Sequence, residues 1–210
     1  MTTGTHISFS AEQQQRIKDA VAAVEAHTSG EIVALILPRA DDYHASAVTA
    51  AAMSAMAVAT GALWWWPQLE YWAVALLLLG GYTAVMAVLK LIPALHRAVI
   101  SSAEMEARVE QQAYALFTRH GLHRTRDATG ILLLVCLFER RVRVLADDGI
   151  SAVVKQQQWQ QIVDTITAGL RSGDACTALC HAIEQCGELL IPHFPPRADD
   201  VDELPNLIME

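Results

Sequence analysis

The 210-residue chain carries 23 acidic and 15 basic side chains, a formal net charge of −8, which argues against a nucleic-acid backbone as its partner. Four cysteines, Cys136, Cys176, Cys180 and Cys186, do not have the spacing of a disulfide framework, and free thiols fit a reducing compartment. Met1 to Ser10 lacks a basic start followed by an apolar run, so it does not read as a signal peptide.

In chain order, Ser10-Ala11-Glu12-Gln13 reads as a capping box opening a helix, with Ile17, Ala20, Val21 and Val24 on one face. The helix ends near His27, Thr28-Ser29-Gly30 turns, and Glu31 to Leu37 is an aliphatic run suited to a strand covered on both faces. Pro38 stops it.

From about Ala45 to Ile92 the sequence answers to lipid. No charged residue stands between His44 and Glu70, nor between Glu70 and Lys90, so each segment is about the 20 residues that cross a hydrocarbon layer. The connection Trp64-Trp65-Trp66-Pro67-Gln68-Leu69-Glu70-Tyr71-Trp72 is crowded with rings that favour the headgroup level. Ala47, Ala51, Ala55 and Ala59 recur every fourth residue, a small face that lets a helix come close. Gly80 and Gly81 are candidates for the matching surface, and a second copy of the chain is the other candidate partner for that face. Arg39 precedes the hairpin and Lys90 and Arg97 follow it, while the connection has no Lys or Arg. The positive-inside rule then places two spans in the inner (cytoplasmic) membrane with both termini in the cytoplasm.

Past Pro93, Ala98 to His120 reads as one helix, able to run on from the second span, and Gly121 stands where a left-handed residue would cap it. A polar loop, His123 to Gly130, leads into a buried strand from Ile131 to Phe138. Glu139-Arg140 then turns into Arg141 to Leu145, whose basic and apolar residues alternate as in a half-exposed strand. Asp147-Asp148-Gly149 is a turn, and helices are expected over 150–170 and 174–190. The acidic, proline-bearing tail reads as extended or disordered.

The expected fold is an α/β class, a small α/β/α sandwich with an inserted two-helix transmembrane hairpin. Its discontinuous domain occupies 1–44 and 93–192, the hairpin 45–92 and the acidic extended tail 193–210. Because the hairpin opens a strand-to-helix connection, the domain is expected to sit directly on the bilayer.

Three stretches, Thr28-Ser29-Gly30-Glu31-Ile32-Val33, Gly121-Leu122 with Asp127 to Val135, and Glu139 to Val144, resemble the TPM-domain family in kind and order. That family includes thylakoid-lumen proteins implicated in photosystem repair and many bacterial membrane-associated proteins. Phe194-Pro195-Pro196 with Asp202-Glu203-Leu204-Pro205 looks like the tail of bacterial members carrying an inserted hairpin. The resemblance implies a small α/β/α domain, with acid phosphatase activity and divalent-metal binding in some members. Asp147-Asp148-Gly149 departs from the glycine-rich turn that many members have there.

Phosphate-ester hydrolysis needs a nucleophile or a metal-bound water, and cations for the developing charge. Asp127, Asp147 and Asp148 fall at the same end of the strand pair, where three carboxylates would hold a hard cation such as Ca or Mg. Arg124 and Arg126 are the candidate anion-binding groups, with Arg140 nearby in sequence. The same aspartates also read as turn and helix-cap residues, and Glu31 as an exposed acid at the start of its strand. Cys176, Cys180, His181 and Cys186 lack the spacing of a known zinc module. No nucleophile with a partnered base is present, so the sequence names no catalytic residue. The first expectation is a membrane-anchored domain that binds another membrane protein as an accessory in its assembly or maintenance. The competing one is a metal-assisted acid phosphatase.

Overall fold

Glu31–Leu37 (β1) and Gly130–Cys136 (β2) are buried at every position, which requires cover on both faces of the sheet they share. They pair in parallel with Glu31 opposite Gly130 and Leu37 opposite Cys136. Arg141–Ala146 (β3) runs antiparallel to β2, and Leu207–Met209 (β4) adds to the other edge of β1 in parallel, so the order is β3-β2-β1-β4. The computed structural model describes residues 9–197 and 204–209, so the acids Asp199, Asp200, Asp202 and Glu203 of the tail lie outside the described residues.

The period-2 alternation of a strand divides the core. Ile32, Ala34, Ile36, Ile131, Leu133 and Val135 join residues of Ala11–Glu25 (α1), Gln156–Ser172 (α7) and Ala175–Leu190 (α8) in one cluster. Val33, Leu35, Leu37, Leu132, Leu134 and Cys136 join Val109, Ala113 and Leu116 of Ser102–Arg119 (α5) in the other. This is a mixed α/β fold with a four-stranded sheet between helices. The tail contributes to it: Leu207 packs on the first cluster, Leu204 and Ile208 on the second, and Ala34 N–H donates to Asn206 O at 3.1 Å.

Local chemistry sets the boundaries. Ser10 caps α1 as a full capping box with Gln13, and Gly121 sits at φ 76° after α5. Two expected continuous helices are interrupted. Pro93 opens a separate short helix, Pro93–Val99 (α4), because it cannot donate to the turn before it, and the helix expected from Ala98 is broken at Ile100, extended at φ −83° and ψ 132°, before Ser101 Oγ accepts from Glu104 N–H at 3.1 Å at the start of α5. The helix expected over 150–170 is split into Asp148–Ser151 (α6) and α7, where Gln158 reaches back to accept from Lys155 N–H at 3.0 Å and opens a new helix.

The described chain divides into two units: Asp41–Met105, and the residues up to Ala40 together with Glu106 onward. The second holds the sheet. In the first, His44–Trp65 (α2) and Tyr71–Leu91 (α3), of 22 and 21 residues, pack against each other. At 1.5 Å per residue each is about 30 Å long, matching a hydrocarbon core. Ala47, Ala51, Ala55 and Ala59 are all buried, and a Cβ on Gly81 would come 3.4 Å from Ala55 Cα. The small-residue face is therefore packed within the chain, with α3 against it at Ala55.

Candidate functional site

The candidate aspartates stand where two loops meet at the amino ends of β1 and β2. Asp147 N–H donates to Gly130 O at 2.9 Å and Gly149 N–H to Ala128 O at 3.1 Å, so the loop after β3 lies on the loop before β2. The approach is close: a Cβ on Gly149 would stand 2.7 Å from both Asp127 O and Ala128 O. Ala128, at φ 55°, takes the left-handed conformation to make that turn.

The side chains do other work than the backbone proximity invites. Asp127 forms an ion pair with Arg197. Asp147 is the N-cap of α6, its Oδ1 accepting from Asp148 N–H at 2.9 Å, while its buried Oδ2 has no hydrogen-bond partner. Asp148 is exposed. Among the described residues no group of three or more His, Cys, Asp or Glu stands together to hold a metal ion. With Asp127 committed to a guanidinium and Asp147 to a cap, these carboxylates do not form the oxygen cage that Ca or Mg requires.

Arg124 and Arg126 are exposed, and Arg124 Nε lies 3.3 Å from His123 Nε2. Glu31, expected exposed, is buried at 9% accessibility, because its strand start is covered like the rest of β1. In open α/β sheets ligands gather at the carboxyl ends of parallel strands, and this cluster lies at the amino ends.

The carboxyl ends carry a different group, missed in the sequence because Glu139-Arg140 looks like an ordinary turn. Glu139 is buried and its Oε1 accepts from Ala40 N–H at 2.9 Å, tying the loop after β2 to the end of β1. The Arg39 guanidinium lies 4.8 Å over the Phe138 ring. Arg140 holds φ 53° and is exposed.

Cys136, Cys180 and Cys186 are not activated nucleophiles. Burial, then the Glu139 carboxylate, pushes the Cys136 thiol well above its usual range. Burial alone pushes Cys186 up to about 12, and burial followed by Cys176 takes Cys180 to about 11. A nucleophilic cysteine needs the opposite shift. The Cys176 and Cys180 thiols donate to the carbonyls of Gln13 and Arg16, at 3.7 and 3.8 Å, so they pack α8 against α1.

Residues 96–189 match the TPM domain. The match begins beyond the two long apolar helices, and a search of curated proteins finds no match. Among solved structures the chain is similar to the NMR structure of the BA42 protein from the psychrophilic bacterium Bizionia argentinensis. The two share 20% identity over 100% of each chain, with a TM-score of 0.61, a likeness of fold alone.

Proposed function

We propose that the chain is a membrane-anchored, TPM-like domain that binds a membrane protein as an accessory in its assembly or maintenance. The observation that carries the anchor is the surface of the hairpin. Met53, Met56, Val58, Leu76 and Leu79 are 54–69% exposed, and Trp64 and Tyr71 at the connection 87% and 85%. Water does not tolerate so continuous an apolar surface, whereas lipid does, and aromatic rings at its tip suit the headgroup layer. Arg39, Lys90 and Arg97 on the two flanks support chain ends on the cytoplasmic side.

Binding rather than catalysis is supported by how the candidate groups are spent. Asp127 is in an ion pair, Asp147 caps a helix, and burial holds the thiols of Cys136, Cys180 and Cys186 protonated. Turnover of p-nitrophenyl phosphate by the detergent-solubilised chain, with and without divalent metal, tests this. The proposal expects no metal-dependent turnover above that of Asp127→Ala. Metal-dependent turnover lost in Asp127→Ala would make the chain a phosphatase.

A further inference from the structure

The α3 helix ends at Leu91, and the chain does not then turn into a water-facing segment. From Leu91 to Val99 the exposed residues are Leu91, Ile92, Pro93, Ala94, Leu95, Ala98 and Val99, every one apolar. The two polar residues of that stretch, His96 and Arg97, are the half-buried ones. This inverts the pattern of a helix on a water-soluble protein, whose polar side faces out. Leu91 is 80% exposed, Ile92 49%, Leu95 44% and Val99 39%. They follow one another around the kink at Ile92, whose φ of −122° breaks the helix before Pro93.

What covers this face is fixed by what it continues. Leu79 and Val88 on α3 are exposed apolar residues of the same unit, and Leu91 and the apolar residues after it follow them in the chain, with Thr83 and Lys90 the exposed polar residues between. A lysine there marks the level of lipid phosphates, because its ammonium reaches for the headgroups while its stem stays in hydrocarbon. No acidic residue occurs between Glu70 and Glu104, so nothing in this stretch repels an anionic surface.

We infer that α4 is an interfacial helix that lies in the headgroup region of a phospholipid bilayer, with Ile92, Leu95 and Val99 immersed and Lys90 at the phosphates. This rests on the reading of α2 and α3 as membrane spans and adds to it a site of contact that length and composition do not give. A helix of seven residues is about 10 Å long, enough to lie within one headgroup layer and too short to cross anything. The kink at Ile92 and Pro93 is the device that turns the chain from crossing to lying.

The test places an environment-sensitive fluorophore at one added cysteine at a time on a Cys180→Ser background, at Leu79→Cys, Leu95→Cys, Val99→Cys and, as a control on α7, Gln157→Cys. The full chain is reconstituted at low protein-to-lipid ratio in vesicles of phosphatidylcholine and phosphatidylglycerol. Quenchers are iodide in water, a spin label near the headgroup and one deep in the acyl chains. At positions 95 and 99 iodide quenching is expected to be at least about threefold weaker than at 157, with the shallow spin label the better lipid quencher. Position 79 should respond to the deep label. Iodide quenching at 95 and 99 equal to that at 157, with 79 still deep, overturns the inference and leaves the spans standing. Iodide access at 79 removes the spans and the inference together. Shielding at 95 and 99 that appears only at high protein-to-lipid ratio assigns the face to a second copy and also overturns it.

Discussion

Arg143 donates from Nη2 to Glu110 Oε1 at 2.5 Å, and Arg141 makes a matching pair with Glu106. Two residues along β3 rise about 6.6 Å and four along α5 about 6 Å. The period-2 basic pattern of the strand and the i, i+4 acids of the helix therefore come into step. Both partners of the Arg143 pair are more than a third exposed, so a double-mutant cycle on Arg143→Ala and Glu110→Ala should give a coupling of about 0.5–1 kcal/mol. It should shrink in high salt, where exposed charges are screened.

Gly149 is expected to be intolerant of a methyl group. Its added Cβ would meet two backbone carbonyl oxygens at 2.7 Å, and backbone cannot swing aside as a side-chain tip can. Gly149→Ala should destabilise the sheet-bearing unit by about 1–3 kcal/mol in urea unfolding. A change within about 0.5 kcal/mol would mean that the two loops are not held together as described.

The tail strand should be measurable from its partner. Ile208→Asp places a charge against the cluster that contains Val33, Leu35 and Leu37, and should release β4 and raise hydrogen exchange at the Ala34 amide by at least about tenfold, the equivalent of about 1.4 kcal/mol. Unchanged exchange at Ala34 would remove β4 from the fold.

The buried thiols predict an alkaline limit. Unfolding returns Cys186 from about 12 to its ordinary 9.0. Above pH 9 the unfolded chain gives up a proton that the folded chain keeps, so the stability is whole below pH 9 and is lost as the pH rises toward 12. Cys186→Ala should flatten that decline, by up to about 1.4 kcal/mol per pH unit. In the native state a thiol reagent should reach Cys180 before Cys136, Cys176 and Cys186, which are buried.

Much of this fold was legible because its signals are local. Ser10 with Gln13, Gly121, and the aliphatic runs at Ile32 and Ile131 each carry their structure in a few residues, and the two apolar stretches announce themselves by length. What was missed depends on contacts distant in sequence. Glu31 is buried only because the sheet start is covered, and Leu207–Met209 is a strand only because β1 has an open edge beside it. The candidate site was legible as a place and not as chemistry. Sequence order put Asp127 and Asp147 at one end of the sheet, where the loops do meet, but nothing local foretells that Arg197 takes Asp127.

The central claim is that α2 and α3 cross a bilayer. Labelling with a membrane-impermeant maleimide tests it most directly, in sealed inside-out vesicles carrying Trp65→Cys or Ser151→Cys on a Cys180→Ser background. Position 151, on α6, should react at once, and position 65, at the connection between the spans, only after detergent opens the vesicles. Reaction of both before detergent would show the connection on the same side as the domain and would contradict the crossing.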